Sequence, residues 1–256
     1  MLVTGATGGL GQAIAGALAA RGAQLVLTGR RIDVLERLAS ELGGRAIACD
    51  FSDRADLDRL TSQAGDIDVL VANAALPGSG VLTDLPQEHI DRVLEVNLRA
   101  PVTLARALAP AMIARGHGHL VFMSSLAGKA ASPASSLYSA TKFGLRGFAL
   151  ALREDLRPHG VGVSTVVPGF IRDAGMFADA GVELPWFVRT RSPQEVAAAV
   201  IRAIQRNRAE VEVAPVTLRL GASFAAVAPA IAAEVSRRLG GDRIALAHVE
   251  GQRDKR

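Results

Sequence analysis

Cysteine is nearly absent from this 256-residue chain: Cys49 stands alone. That excludes an internal disulfide framework and a cysteine-rich metal site, and it suits a reduced compartment such as the cytoplasm. Aromatic residues are scarce at 4%, with one Trp and one Tyr, and lysine occurs only as Lys129, Lys142 and Lys255. The net charge of +4 comes from scattered arginines, with no basic run and no aromatic interleaving, so no nucleic-acid partner is expected. A bilayer span needs about 20 apolar residues. The uncharged stretch 220–233 is too short and is interrupted by Pro229, so no transmembrane segment is expected. The N-terminus lacks a basic start, and despite Ala17-Leu18-Ala19 it is expected to be folded structure rather than a signal peptide. No G-x-S-x-G occurs, so Ser-His-Asp hydrolysis lacks its nucleophile turn. His117 and His119 bracket Gly118 without a carboxylate or cysteine cluster, so no metal site is expected either. What the chain has in quantity is apolar residues, 49% of the total. With a mean hydropathy of +0.25, that composition suits a well-filled core and excludes a largely disordered chain.

Short runs rich in Val and Leu alternate with longer stretches of helical period. Strands are predicted at 2–4, 25–28, 46–49, 69–72, 120–124, 161–167 and 211–214, and helices at 10–21, 32–42, 55–63, 87–114, 136–156 and 193–205. Ile14, Ala17 and Leu18 share one face of the first helix, and Asp53 is placed to cap the third. The run 69–72 is continuously apolar, as expected of a strand covered on both faces. Residues 170–191 show no clear period. Such alternation calls for right-handed crossovers and a parallel sheet of about seven strands, a doubly wound α/β fold whose ligands lie beyond the strands' carboxyl ends. A single domain is expected over 1–240, including a C-terminal helical region at 216–239. A tail follows at 241–256, its end from 251 expected to be disordered.

Three motifs carry chemistry. Thr4-Gly5-Ala6-Thr7-Gly8-Gly9-Leu10-Gly11 joins the first strand to the first helix, where a dinucleotide pyrophosphate would meet backbone N–H groups and the helix dipole. Glycine is needed there because a Cβ would block the turn, the phosphates or the approach of helix to strand. Its spacing is G-x-x-x-G-x-G, and taken alone a plain strand–helix turn is the competing reading. The second is Tyr138-Ser139-Ala140-Thr141-Lys142, which sets the only tyrosine four residues before one of three lysines. Positions i and i+4 face the same side of a helix, so the ammonium is expected to lower the phenol's pKa from its usual value near 10. A half-buried Tyr beside a surface Lys is the competing reading. The third is Ser124-Ser125-Leu126-Ala127-Gly128 at the end of a predicted strand, with Ser125 thirteen residues before Tyr138. Alone, these are ordinary loop serines.

Together these residues resemble the short-chain dehydrogenase/reductase family over nearly the whole chain. The resemblance runs from Gly5, Gly9 and Gly11 through Asn73-Ala74-Ala75 and Val96-Asn97 to Ser125, Tyr138, Lys142 and Pro168-Gly169. It implies a Rossmann-type fold, hydride transfer between a nicotinamide cofactor and an aldehyde, ketone or secondary alcohol, and a homo-oligomer. Within it, Tyr138 is the general acid or base, and Lys142 lowers the phenol's pKa and bonds the nicotinamide ribose. Ser125 holds the carbonyl, and Asn97 supports a water in the proton relay. The turn through Gly5, Thr7, Gly8, Gly9, Leu10 and Gly11 takes the cofactor phosphates. Asp50, followed by Phe51, contacts the adenine. Asn73 and Ala74 steady the central strand beside the cofactor, Pro168 and Gly169 border the nicotinamide, and Ile171 lies close to its carboxamide.

Cofactor choice is legible at Leu27-Thr28-Gly29-Arg30-Arg31. An NAD enzyme usually places a carboxylate at the end of this strand; here Gly29 stands there and Arg30 follows, able to grip a 2′-phosphate. NADP(H) is therefore expected, with NAD(H) as the alternative, although the family's other basic position holds Gly8. Two departures stand out. The first strand begins closer to Met1 than is usual in the family, which leaves open whether the start is complete. Ala75 replaces the glycine common in the Asn-Ala-Gly motif. Phe170, Met176, Phe177, Trp186 and Phe187 in segment 170–191, which covers the substrate in the family, suggest a hydrophobic substrate or simple packing. The Ala-rich 216–239 region, with Arg219, Arg237 and Arg238, reads first as a packing helix, with a subunit contact or a membrane-surface helix as alternatives. A cofactor-sensing regulatory protein, and an epimerase or dehydratase on the same scaffold, are the competing functions.

Overall fold

Along the central strands successive residues are apolar on both sides, so the sheet must be covered on both faces. The computed structural model, which describes residues 1–182, 188–238 and 241–251, shows how. Strands β1 (Leu2–Thr4), β2 (Val26–Gly29), β3 (Arg45–Ala48), β4 (Val69–Ala72), β5 (Gly118–Met123), β6 (Val161–Pro168) and β7 (Glu210–Val213) form one parallel sheet in the order 3-2-1-4-5-6-7. Between them run α1 (Gly9–Ala19), α2 (Ile32–Leu42), α3 (Arg54–Ala64), α4 (Gln87–Leu94), α5 (Ala100–Arg115), α6 (Ser136–Leu156), α7 (Met176–Asp179) and α8 (Pro193–Gln205). An arm of α9 (Val216–Val227), α10 (Pro229–Arg238) and α11 (Gly241–Glu250) follows β7.

Leu70, Leu120 and Phe122 point to one face and join Leu57 and Leu60 of α3, Leu104 and Met112 of α5 and Leu145 of α6. Val71, Val121 and Met123, one residue out of phase, point to the other face and join Ile14 of α1, Leu35 of α2 and Val200 of α8. Each such side chain, removed from water, contributes about 1.5–3 kcal/mol. Phe122 also meets Phe148 edge to face at 5.5 Å between ring centroids. Cys49 is buried in the first layer at 1% exposure, and burial pushes its thiol pKa up to about 12. Helix starts follow local chemistry: Asp53 caps α3 by accepting from the Ala55 N–H at 2.9 Å, and Ser192 and Glu195 cap α8 reciprocally.

Three segments differ from the periodicity-based expectation. The predicted helix 87–114 is α4 and α5 joined by a π-turn over Glu95–Arg99, which holds one residue more than an α-helical turn. Residues 170–191 include α7 and a bridge between Ile171 and Arg191, while Trp186 and Phe187 lie outside the described residues. The C-terminal region is helical as expected but does not simply pack away. Val216, Leu220, Phe224 and Val227 of α9 and Ile231 and Val235 of α10 are exposed, and the stretch expected as a tail from 241 forms α11. Residues 252–256 lie outside the described residues.

Candidate active site

In sheet order the chain reverses between β1 and β4, and the crevice beyond their carboxyl ends is where such folds bind ligands. The side chain of Thr4 closes β1 against β4 here: its hydroxyl accepts from the N–H groups of Asn73 and Ala74, both at 2.9 Å. Asn73 Nδ2 donates in turn to the Thr4 carbonyl at 3.0 Å. Gly5 sits in the left-handed region (φ +63°), and a Cβ on it would come within 2.8 Å of Ala74 Cα. A Cβ on Gly11 would lie 2.2 Å from the Gly5 carbonyl oxygen, so only glycine lets α1 start this close to the turn. Gly8 precedes α1 and contributes no side-chain cap, which leaves the first-turn N–H groups for an anion. This uncapped, Cβ-free cradle fits a dinucleotide pyrophosphate. Arg31, which the sequence reading did not single out, holds the turn by donating to the Thr7 carbonyl at 2.7 Å.

At the far end of the cofactor crevice, Arg30 is exposed beside the end of β2. Asp50 accepts from the N–H and hydroxyl of Ser52 at 2.9 and 2.6 Å. Burial works to raise its pKa, but the Ser52 bonds and the Arg30 and Arg92 guanidinium groups prevail and hold it below the ordinary value. The Phe51 ring is 5% exposed and belongs to the core with Leu57, Leu60 and Val96, so only its backbone is available to an adenine.

The third group converges on a cavity of about 870 Å³. Ser125, Tyr138 and Lys142 line it together with Leu10, Asn73, Pro168, Gly169 and Ile171. Ser125 ends the loop after β5 and caps a short turn, accepting from the Ala127 N–H at 3.2 Å. Neighbouring Ser124 donates to the Lys142 carbonyl at 3.0 Å, which fixes this loop to α6. The Lys142 ammonium donates to the Met123 carbonyl at 2.9 Å and lies 5.5 Å from the Tyr138 ring centroid. Burial lowers the pKa of Lys142 to about 8. For Tyr138 the expectation is corrected. Burial pushes the phenol up to about 12, and the opposing effect is a hydrogen bond with Ser125 rather than the lysine. In a dry site both charged forms are disfavoured, and desolvation outweighs the attraction between them. The phenol is therefore protonated at neutral pH.

Asn97 stands one layer behind. It lies in the π-turn at 1% exposure, where its Oδ1 accepts from the Leu76 N–H at 2.7 Å and its Nδ2 donates to the Leu76 carbonyl at 2.9 Å. It does not line the cavity, though Ala75 beside Leu76 does. Sequence reasoning also missed the opposite wall. Leu218, Ala222 and Phe224 of α9 and Ala232 and Val235 of α10 line the same cavity. Their apolar spacing was the available signal.

Comparison with known proteins agrees with this geometry. A family model described as short chain dehydrogenase matches residues 1–184. Ketoacyl reductase HetN of Nostoc sp. is 38% identical over 220 residues, covering 82% of this chain and 77% of that protein. Dehydrogenase/reductase SDR family member 7B of Bos taurus is 32% identical, covering 90% and 78%. Among solved structures, a short-chain dehydrogenase from Sphingobium yanoikuyae in complex with NADPH superposes with a TM-score of 0.78 at 28% identity, covering 94% of each chain. A glycine turn on α1, a Ser–Tyr–Lys group in one cavity and these likenesses lead to one conclusion: the chain belongs to the short-chain dehydrogenase/reductase family, oxidoreductases that act on CH–OH and C=O groups.

Proposed function

We propose that this protein reduces a hydrophobic aldehyde or ketone, or oxidises the corresponding secondary alcohol, with NADP(H) as its cofactor. The observation that carries this reading is the convergence of Ser125, Tyr138 and Lys142 on one apolar cavity that continues to the glycine turn at Leu10. The bound nicotinamide supplies or accepts the hydride, and the chain's residues manage position and proton. Ser125 and Tyr138 donate to the carbonyl oxygen, where negative charge develops. A phenol with its pKa raised to about 12 is protonated at neutral pH, the state that an acid in carbonyl reduction requires. Lys142, cationic below about pH 8, faces the phenolate left behind. Asn97 holds Leu76 and with it the loop that follows Asn73. Gly5, Thr7, Gly8, Gly9, Leu10 and Gly11 hold the pyrophosphate, Asn73 and Ala74 the edge of the crevice, and Pro168, Gly169 and Ile171 the nicotinamide. Arg30 selects the 2′-phosphate at the ribose, and Asp50 with the Phe51 backbone meets the adenine.

The same reading places residues 1–240 in one domain, in a cytoplasmic homo-oligomer, which light scattering on the purified protein tests. The test of activity is NADPH oxidation with a panel of aliphatic and aromatic ketones. Tyr138→Phe is expected to lose at least 100-fold in kcat while still binding NADPH. Arg30→Glu is expected to bring the NADPH-over-NADH ratio of kcat/KM down by tenfold or more. Full turnover in Tyr138→Phe would overturn the assigned acid, and a wild-type preference for NADH would overturn the cofactor choice.

A further inference from the structure

The cavity that holds Ser125 and Tyr138 also reaches the C-terminal arm. It is lined by Leu126, Ala127, Ala130, Ala131, Ser132 and Ser135 after Ser125 and by the α9–α10 pair. Leu218, Ala222, Phe224, Ala225, Ala232 and Val235 face this space. Three of the six are alanines, so the room between the helices comes from small side chains. Among the described residues lining the cavity, Lys142 alone carries a formal charge, and its ammonium is engaged by the Met123 carbonyl. This wall belongs to the part of the chain beyond the 1–184 matched by the family model.

The arm is held at both ends. Arg219 of α9 pairs with Glu212 of β7 at 2.6 Å, and Glu212 with Lys129 at 2.6 Å. Lys129 also pairs with Glu210 at 2.7 Å, so the turn that follows Ser125 and the start of the arm share one set of ion pairs. At the other end, Gly251 lies so near the residue after α7 that a Cβ on it would come within 2.0 Å of the Ala180 carbonyl oxygen. The arm therefore starts beside the Ser125 loop, crosses the cavity and touches down next to the segment that covers it.

We infer that the α9–α10 wall is the binding site for a long or bulky uncharged apolar tail, so that the substrate is a carbonyl compound with its C=O at Ser125 and Tyr138 and an aliphatic or alicyclic body against Leu218, Phe224 and Val235. Among the described residues an anionic tail finds no partner on this wall, because Lys129 and Arg219 are already paired with Glu210 and Glu212 and burying an unpaired carboxylate is costly. This inference rests on the reductase reading for its carbonyl end only.

The experiment pairs turnover with a binding readout that needs no chemistry. With NADPH, kcat/KM for 2-alkanones of four to twelve carbons is expected to rise roughly three- to fourfold per added methylene until the space is filled. The ω-carboxylated counterparts are expected to fall at least tenfold below the uncharged ketones. Ala225→Phe and Ala232→Phe, on separate helices, are each expected to cut the long-chain kcat/KM by tenfold or more relative to that for 2-butanone. Val227→Ser, on the outer face at 85% exposure, leaves the whole series unchanged. In parallel, the uncharged fluorophore N-phenyl-1-naphthylamine is titrated into each protein, with circular dichroism to verify folding. Binding to the wild type that both filled variants lose supports the inference even where no ketone turns over, in which case the reductase reading falls alone. Equal kcat/KM across chain lengths, a carboxylated tail preferred, or no fluorophore binding overturns the inference, and short-ketone turnover then leaves the reductase reading standing.

Discussion

His119 on β5 and Ser164 on β6 meet across neighbouring strands at 2.8 Å, both buried. The Ser164 hydroxyl donates to the Arg208 carbonyl at 2.6 Å, so its single proton is committed there. His119 must then donate from Nε2, which assigns the neutral tautomer with Nδ1 bare. Burial, helped by the Arg153 guanidinium, lowers its pKa from 6.5 to about 4. The sign follows from proton counting. Between pH 6.5 and 4 the unfolded chain takes up a proton that the native imidazole refuses, so stability falls with pH over that window, by up to about 3 kcal/mol. His119→Gln keeps a donor for Ser164 and removes the titration. Its loss of stability between pH 7 and 4.5, read from urea midpoints, should be smaller than the wild type's by roughly 2–3 kcal/mol. An equal loss would assign the acid sensitivity to other groups. The same histidine shows what a motif scan cannot see. In the sequence it is half of a His-x-His pair with no assigned role, and the fold turns its ring into the sheet as a strand-to-strand tie.

Between α4 and α5 the extra residue of the π-turn presents Asn97 to the backbone of Leu76. Asn97→Ala would strand a donor and an acceptor at the root of the loop after β4. A loss of about 2 kcal/mol in unfolding free energy is expected. Asn97→Asp keeps the acceptor for the Leu76 N–H but buries a carboxylate oxygen against the Leu76 carbonyl, so at neutral pH it should not recover the loss. Equal stability in the alanine variant would mean that water replaces the amide without cost. Elements with a complete apolar period are legible from residues alone: β1, β4, α2, α6 and α8 lie where Leu2–Thr4, Val69–Ala72 and the helical spacings predict them. The π-turn is not, because one inserted residue shifts the helical phase by about 100°, and the nearby Pro101 marks only the start of α5. Nor is the direction of α9. Val216, Leu220 and Val227 have the spacing of a core-facing stripe, and only the tertiary structure shows that this stripe is exposed while Ala222 and Phe224 line the cavity.

The two apolar layers share every central strand, since alternate residues of β4, β5 and β6 feed opposite faces. Neither layer can dissolve without unpairing the sheet that supports the other. Residues 1–240 are therefore expected to unfold in one transition, with calorimetric and van't Hoff enthalpies in agreement. Two resolved transitions would reject the one-domain reading. The proposed acid–base pair was legible because Tyr138 and Lys142 are four apart on one helix. The α9–α10 wall was not, because it joins residues 93 to 110 positions beyond Ser125 through a fold that no local pattern encodes. The solitary, inert Cys49 also has a practical consequence. Thiol reagents attack the thiolate, and a buried group with a pKa near 12 offers almost none. The natural chain is thus spectroscopically blank toward maleimides, and Val227→Cys would carry a single dye or nitroxide, turning the outer face of α9 into a reporter of how the arm moves as cofactor and ketone arrive.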